Sequence, residues 1–352
     1  MVPVPPSLVA IAAGVDGRLA ALIDGEIARW RALDVELAAP LESLRALLFS
    51  GGKRLRPAFC HWAFVGAGGD PSAQLVTDAG AAFEFLHAFA LVHDDVMDGS
   101  ATRRGTRSAH LQFSDRHDRN HWSGEPRRFG EGVAILIGDL AFVYADQLLH
   151  EAPPRAWEVW NELRLELNIG QYLDVVGTAT RERTRAAADR ILRYKSGKYT
   201  VERPLHLGAG LAAPDRLAEI AGPLSAFGLP LGDAFQMRDD VLGTFGDESR
   251  TGKPVGDDLR EGKPTPLLAL ATQRASAAQA SVLERIGRAD LDDHDIARVQ
   301  QVIVDTGALS ALEAEIEHRL TDALAALAAA PLTEQACREL AELAEYVARR
   351  DA

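Results

Sequence analysis

FEFLHAFALVHDDVMD, residues 83–98, is the segment from which the architecture of this chain can be worked out. It is an apolar run of helical length that ends in three aspartates, Asp94, Asp95 and Asp98, and Arg103 and Arg104 follow shortly after. At 100° per residue, Asp94 and Asp98 lie one turn apart on the same face. Like charges at this spacing weaken a helix by roughly a few tenths of a kcal/mol, but a cation between them reverses the sign. Carboxylates, completed by waters and phosphates, are the usual ligands of Mg²⁺.

The acidic cluster has two possible interpretations, a solvated structural turn or a metal-binding site. Acidic residues at a helix end are common in solvated turns, and Arg103 and Arg104 could simply pair with the aspartates. The cluster nevertheless lies at the C-terminal end of its helix, where the helix dipole disfavours negative charge. A purely structural role does not explain that placement.

Composition predicts a globular, helical protein. Of the 352 residues, 47% are hydrophobic, Ala and Leu dominate, and alternating β-branched runs are scarce. The formal net charge of −13 argues against nucleic acid as a partner, because duplex binding needs a basic surface. Cys60 and Cys337 lie far apart in apolar or helical contexts, which indicates buried thiols in a reducing compartment. No targeting segment or transmembrane segment is recognised, so the expected location is cytoplasmic.

A basic loop precedes the acidic helix. The sequence GGKRLRP, residues 51–57, places three cations directly after two glycines. Glycines let the backbone approach an anion closely, and Lys and Arg supply charge-assisted hydrogen bonds to it. By itself such a run is more often a solvated face.

A second acidic helix end lies far along the chain. The apolar segment 224–242 ends in Asp239 and Asp240, and a glycine- and lysine-rich segment with Lys253 and Lys263 follows. Carboxylates gathered in one cavity would repel one another strongly unless divalent metal and polyphosphate balanced them. A P-loop is excluded, because its motif and βαβ pattern are absent. A di-iron or dizinc bundle is not favoured, because such sites use Glu and Glu-x-x-His ligand sets, whereas both helix ends here carry aspartates.

The ordered landmarks resemble those of the trans-isoprenyl diphosphate synthases, the polyprenyl synthetase family, over nearly the whole chain. The landmarks are GKRLRP at 52–57, His87 seven residues before Asp94, DDVMD at 94–98 with RRG at 103–105, Lys195-Ser196, and QMRDD at 236–240 with Lys253. The resemblance implies an all-α fold: one single-domain antiparallel helical bundle, residues 1–352, around a deep central cavity. It also implies a homodimer. Residues 1–8 are expected to be flexible and 113–130 to form a polar loop.

Site roles follow from the resemblance, position by position. The diphosphate of isopentenyl diphosphate would be held by Lys53, Arg56, His87 and Arg104. Mg²⁺, three ions bound with substrate diphosphate, would be held by Asp94, Asp95, Asp98, Asp239 and Asp240. The allylic diphosphate would be completed by Arg103, Lys195, Lys253 and Lys263, and Gln236 and Ser196 would face the reacting carbons. The residues expected to carry catalysis are Asp94, Asp98, Asp239, Lys195 and Gln236.

The implied reaction is ionisation, condensation and elimination, in which metal and lysine charge stabilise the departing diphosphate. The resulting allylic cation must be kept from water, which favours an apolar cavity. One departure is Gly243, where many relatives have a third aspartate. Asp239 and Asp240 then remain on that wall, and metal affinity could be altered.

Product length is assigned from the resemblance to Phe89 and Ala90. Phe89 stands five residues before Asp94, where an aromatic residue limits growth near twenty carbons, and Ala90 is small. An ideal wheel puts Phe89 about 140° from Asp94, so periodicity does not support this role, and a core-filling Phe would look the same. Geranylgeranyl diphosphate is the expected product, and farnesyl or somewhat longer diphosphates are the alternative.

Three other classes of protein fit the sequence less well. A class I terpene cyclase shares an aspartate motif but does not need Lys53, Arg56 and His87 for a second diphosphate. A regulatory subunit of a hetero-oligomeric synthase typically lacks an aspartate motif, and both are essentially present here. A purely structural helical protein leaves the ordered polar clusters unexplained.

Overall fold

The computed structural model describes residues 3–246, 256–288 and 290–350. These residues fall into two compact units. The N-terminal unit comprises Pro6–His61 and Asp70–Ala152, and the C-terminal unit comprises residues 3–5, Trp62–Gly69 and the described residues from Pro153 onward. The expectation of a single domain stays a prediction.

The N-terminal unit is built from helices around α4. Its α4 packs against α6 and α1, and α5 packs on α6. The elements are α1 (Pro6–Arg31), α2 (Ala39–Leu48), α3 (Leu55–Gly66, which continues into the other unit), α4 (Gln74–Asp98), β1 (Thr102–Arg103), β2 (Thr106–Arg107), α5 (Ala109–Arg119) and α6 (Pro126–Leu148).

In the C-terminal unit the central helix is α10 (Leu217–Phe245), which packs against α9 (Arg203–Ala212), α15 (Ala308–Leu327), α16 (Glu334–Arg349) and a π-helix, Leu192–Glu202. The other elements are α7 (Pro154–Thr180), α8 (Arg185–Ile191), α11 (Asp257–Glu261), α12 (Pro266–Arg274), α13 (Ala277–Leu283) and α14 (Asp293–Asp305). The all-α prediction is confirmed; β1 and β2 are the only strands in the described ranges.

Helix α4 forms as its sequence predicts. The stretch has no proline or interior β-branched run, and it buries Phe83, Phe85 and Leu86 completely. It ends where Gly99 adopts the left-handed conformation, φ 67°, and donates its backbone N–H to the carbonyl of Asp95. Glycine reaches this conformation without steric cost, which fixes the helix end directly after Asp98.

Two expectations about irregular segments were wrong. Residues 113–130 are largely helical, because α5 continues to Arg119 and α6 begins at Pro126. His117 is buried there, and its Nε2 lies 3.1 Å from the carbonyl oxygen of Ser123. The sequence did not predict α5 because only a narrow face of this helix is buried and the rest of its residues are polar. Within residues 1–8, Pro6 already begins α1 and Leu8 is buried.

Two helices are long and apolar enough to cross a bilayer by length and composition alone. They are α1, with 22% of its most apolar window buried, and α4, with 61% buried. Core helices of soluble proteins pass the same test, so this is weak evidence. The expected absence of a transmembrane segment stays a prediction.

The π-helix is held between α7 and α10 by close backbone contacts at glycines. A Cβ on Gly170 of α7 would lie 2.4 Å from the backbone nitrogen of Lys195, and one on Gly232 of α10 would lie 2.5 Å from the carbonyl oxygen of Gly197. Only glycine permits such an approach. The π-helix carries Lys195 and Ser196, and short π-helical segments are frequent at functional sites.

We expect Gly232→Ala to lower the free energy of unfolding by about 1–3 kcal/mol, because its Cβ overpacks against the π-helix. Gly222→Ala, on the same helix, is the matched control. Apart from its chain neighbours and the backbone of its own helix, no described atom lies within 4 Å of the Cβ position there, so this change should stabilise by about 0.5–1 kcal/mol. Urea unfolding of both variants checks the pair. Equal effects would contradict the packing assigned to Gly232.

Candidate active site

An arginine pairs with part of the first acidic helix end. The Nε of Arg103 donates to Asp95 Oδ1 at 2.9 Å and its Nη2 to the same oxygen at 2.5 Å. Nη2 also lies 3.6 Å from Asp94 Oδ2. Asp95 is buried, whereas Asp94 and Asp98 are partly exposed. The arginine–aspartate pairing considered from the sequence is therefore present for Asp95, and Asp94 and Asp98 are the carboxylates better placed to meet a ligand.

A tight hairpin delivers this arginine. Thr102 pairs with Arg107 and Arg103 with Thr106 in antiparallel register. The two connecting residues, Arg104 and Gly105, both have positive φ, 51° and 73°, as a type I′ turn requires. The turn directs Arg103 to the aspartates while the Nη1 of Arg104 donates to the carbonyl oxygen of Gly51.

The basic loop and the hairpin create a positive environment around His87. Burial first, and then the guanidinium groups of Arg56, Arg104, Arg103 and Arg54, hold the pKa of His87 well below its usual value. The imidazole is therefore neutral at pH 7. The structure thus brings together four of the residues predicted to hold diphosphates: Arg56, His87, Arg103 and Arg104. Lys53, on the same loop, is partly exposed.

The second acidic helix end lies in the C-terminal unit. Asp240 is 4% exposed; its Oδ1 accepts from Gln236 Nε2 at 2.9 Å. Its buried Oδ2 has no hydrogen-bond partner among the described residues. Burial, followed by the charge of Asp258, raises the pKa of Asp240 well above its usual value, and Asp239 and Asp174 add to this. A buried carboxylate oxygen of this kind suits a hard cation.

Asp258 occupies the space of the missing third aspartate. A Cβ on Gly243 would lie 2.2 Å from Asp258 Oδ2. The sequence treated Gly243 as the loss of a carboxylate. The structure shows that a carboxylate is present at this place, supplied by α11 instead of α10.

The other acidic groups of this end are paired with cations. Asp239 accepts from Arg350 Nη2, and the Arg350 guanidinium also lies over the ring of Phe235, 4.5 Å from its centroid. Lys195 Nζ donates to the buried Asp174, and Lys263 Nζ lies 2.5 Å from Glu261 Oε2. Ser196 is partly exposed. Lys253 lies outside the described residues.

The residue assigned to product length sits in an aromatic cluster. The Phe89 ring centroid is 4.7 Å from that of His93 and 4.9 Å from that of Phe142. His93 Nε2 lies 3.0 Å from the carbonyl oxygen of Ile135. Phe89 and Ala90 are both partly exposed, so neither is wholly enclosed in the core of this unit.

Sequence reasoning missed Arg54, Asp258 and Arg350. Arg54 lies inside the GKRLRP landmark, and Asp258 lies in the glycine- and lysine-rich segment after the second acidic helix. Both residues therefore belong to motifs that the sequence already indicated as functional. Arg350 gave no signal, since it contacts a residue 111 positions away.

The comparisons with known proteins establish the family. The model of the polyprenyl synthetase family matches residues 39–304. A geranylfarnesyl diphosphate synthase of Aeropyrum pernix is 31% identical, covering 86% of this chain and 92% of its own length. A geranylgeranyl diphosphate synthase of Mycobacterium tuberculosis is 34% identical, covering 86% and 81%.

Solved structures agree. A geranylgeranyl pyrophosphate synthase of Corynebacterium glutamicum, complexed with isoprenyl diphosphate and magnesium, superposes with a TM-score of 0.89 at 36% identity, covering 97% of this chain and 98% of that one. The chain belongs to the polyprenyl synthetase family. It is a trans-prenyltransferase of the short-chain isoprenyl diphosphate synthase type.

We expect His87→Gln to flatten the pH dependence of stability. Because the folded-state pKa of His87 lies below the unfolded value of about 6.5, its contribution is present above that pH and is lost as pH falls. Between about pH 7.5 and 5.5 the wild type should lose about 1 kcal/mol more than His87→Gln. Urea midpoints at both pH values measure this difference.

His61, His110 and His206 also have lowered pKa values and remain in both proteins, so a residual slope is expected. The exposed His150 supplies the control, since His150→Gln should track the wild type. If His87→Gln tracked it too, the environment described for His87 would be wrong.

Proposed function

We propose that this enzyme condenses isopentenyl diphosphate head to tail with an allylic diphosphate, in a Mg²⁺-dependent reaction, to give geranylgeranyl diphosphate. The observation that carries this is that α4 presents two different anion-recognition chemistries. Arginines surround His87, and carboxylates stand about two turns further on at Asp94 and about three turns further on at Asp98. One set suits a diphosphate bound directly by cations, and the other suits a diphosphate bound through metal.

The residues fit Mg²⁺. No three His, Cys, Asp or Glu side chains of the described ranges are close enough to hold an ion by themselves. Mg²⁺ usually takes one or two carboxylates and completes its shell with waters and substrate phosphates. Asp94 and Asp98 from one motif, and Asp239 and Asp240 from the other, would supply those oxygens for three ions, with Asp95 doing so only when Arg103 releases it. When bound, the metal supplies Lewis-acid stabilisation of the diphosphate leaving group.

The chain's own residues then have distinct tasks. Arg56, Arg104 and Lys53 bind the diphosphate of isopentenyl diphosphate, and the neutral His87 donates a hydrogen bond to it. We assign the allylic diphosphate to Arg103, Lys195, Lys263 and, outside the described residues, Lys253, and we assign Gln236 and Ser196 to the reacting carbons. Charge in these positions stabilises the transition state of ionisation. The proton lost at the end passes to the released diphosphate, so no side-chain base is required.

The two relatives named above are a geranylfarnesyl and a geranylgeranyl diphosphate synthase, and the Corynebacterium structure is complexed with isoprenyl diphosphate and magnesium. These support the substrate and metal assignments. We also propose that the enzyme is a cytoplasmic homodimer, with no nucleic-acid partner. Farnesyl diphosphate or a somewhat longer polyprenyl diphosphate is the alternative product.

Two other functions are less well supported. A terpene cyclase has no use for a second, cation-lined diphosphate site. A non-catalytic subunit has no need of two acidic motifs, and Asp258 stands beside the one that is incomplete in sequence. A direct assay separates these possibilities.

The deciding experiment incubates the enzyme with isopentenyl diphosphate, Mg²⁺ and, in turn, the five-, ten- and fifteen-carbon allylic diphosphates. Chain length is read by chromatography after dephosphorylation. Twenty-carbon product, abolished in Asp94→Asn, is expected. Diphosphate release without isopentenyl diphosphate would indicate a cyclase, and no turnover would indicate a binding subunit.

Phe89→Ala should lengthen the product by one or more five-carbon units, because it removes an aromatic ring that is not enclosed in the core. Phe89→Tyr, which keeps the ring, is the matched control and should leave chain length unchanged. Product chromatography measures both. An unaltered product from Phe89→Ala would refute the assignment.

Gly243→Asp, which restores the common residue of the family, should weaken the response to Mg²⁺. Its Cβ displaces the Asp258 carboxylate beside Asp240, so the Mg²⁺ concentration for half-maximal activity should rise about fivefold, or ~1 kcal/mol. The double variant Gly243→Asp with Asp258→Gly makes room for the new carboxylate and should recover much of the loss. A lower Mg²⁺ requirement in Gly243→Asp alone would contradict this account.

A further inference from the structure

The middle arginine of the basic loop is turned away from its neighbours and into the protein. The side chain of Arg54 is 4% exposed, although Lys53 next to it is partly exposed. Its Nη1 donates to Glu84 Oε2 at 2.5 Å, its Nε to Asp16 Oδ1 at 2.9 Å, and its Nη2 to the carbonyl oxygen of Leu48 at 2.7 Å. One guanidinium thus ties together α1, α4 and the end of α2.

The loop backbone depends on this anchor. Arg54 has a φ of 51°, in the left-handed region that residues with a Cβ adopt only when surrounding contacts hold them there. It follows Gly51 and Gly52, whose φ values are 111° and 136°. A Cβ on Gly52 would lie 3.0 Å from Arg54 Nη1 and 3.3 Å from Arg104 Nη2. The loop backbone is therefore packed directly against the two guanidinium groups.

The partner of this anchor is part of the site helix. Glu84 is 4% exposed and stands three residues before His87, so the two lie one turn apart on neighbouring positions of α4. The positive charge of Arg54 is compensated by the carboxylates of Glu84 and Asp16 within the protein. A buried guanidinium with three internal partners is not available to bind a ligand, and its influence on one must be exerted through position.

We propose that Arg54 is a positioning residue: its buried pair with Glu84 fixes loop 51–54 against α4 so that Lys53 and Arg56 are presented to a diphosphate beside His87. The inference rests on the proposed function, because it concerns the site assigned there to isopentenyl diphosphate. It adds that the binding of isopentenyl diphosphate, and not that of the allylic substrate, depends on Arg54, although Arg54 does not contact the substrate.

The kinetic test uses Glu84→Gln, which keeps the size of the side chain and removes its charge, and Arg54→Gln. Both should raise KM for isopentenyl diphosphate about tenfold, as expected when charge-assisted hydrogen bonds are misaligned, and leave KM for the allylic substrate within about twofold. The control is Arg116→Gln. Arg116 lies on α5 and pairs with Glu36 at 2.7 Å, and its loss should change the KM of neither substrate. The conservative Glu84→Asp, which keeps the charge, should recover most of the loss.

A merely structural pair predicts a different result. In that case the variants would have lower thermal midpoints and less active enzyme, but unchanged KM values, and the proposal would be overturned. An equal rise in both KM values would also overturn it. If Arg54→Gln fails to fold, Glu84→Gln and Glu84→Asp still provide the comparison.

A second measurement does not depend on turnover. Titration calorimetry with inorganic diphosphate, without divalent metal, reports the cation-lined site alone. Glu84→Gln should weaken this binding about tenfold relative to the wild type and Arg116→Gln. If the wild type binds diphosphate but makes no prenyl product, the proposed function fails while the role of Arg54 stands. Equal binding by wild type and Glu84→Gln would refute the role of Arg54 alone.

Discussion

Carboxylates gathered at the end of an apolar helix repel one another, and they also lose hydration when they are buried. Both effects are strong where the surroundings are poorly polarisable. Several acidic residues at and beside the two helix ends are consequently met by a cation from elsewhere in the chain. Arg103 meets Asp95, Arg350 meets Asp239, and Lys195 meets the neighbouring Asp174. Asp240 differs from these residues, because its buried Oδ2 has no hydrogen-bond partner within the described ranges.

Helix α4 therefore has a cationic environment around His87 and an acidic one at its C-terminal end. His87 and Asp94 are seven residues apart, or about 10 Å along a helix axis, and the chemistry changes from cationic to acidic over that distance. The cations around His87 belong to the basic loop and the hairpin turn, which meet where Arg104 donates to Gly51. A single rigid element thus holds a cationic and an acidic environment at a fixed spacing, which is compatible with the proposed recognition of two diphosphate substrates.

Glycine performs a different task in each unit. In the basic loop, Gly51 and Gly52 supply backbone conformations that other residues avoid. In the C-terminal unit, Gly170 and Gly232 let α7 and α10 approach the backbone of the π-helix, and Gly243 leaves room for the Asp258 carboxylate. The departure from the family pattern at 243 is therefore accompanied by a neighbouring carboxylate that fills the space. A substitution at one of these positions is best judged together with the group that it faces.

The sequence by itself determined the helical class, the span of α4 and the two acidic helix ends, because these depend on local periodicity, on the helix stop at Gly99 and on the spacing of short motifs. It also indicated the basic loop, although it assigned no task to Arg54. The segment 113–130 was misjudged because a polar helix with one narrow buried face resembles a loop in composition.

Only the tertiary structure decided which charges meet. Arg54 and Glu84 are 30 residues apart, and Arg350 and Asp239 are 111 apart. No local pattern links such residues, since the choice of partner depends on how the helices pack and on which carboxylates would otherwise be buried alone. The same holds for Asp258 above Gly243, where the sequence shows a missing side chain and the fold supplies another in its place.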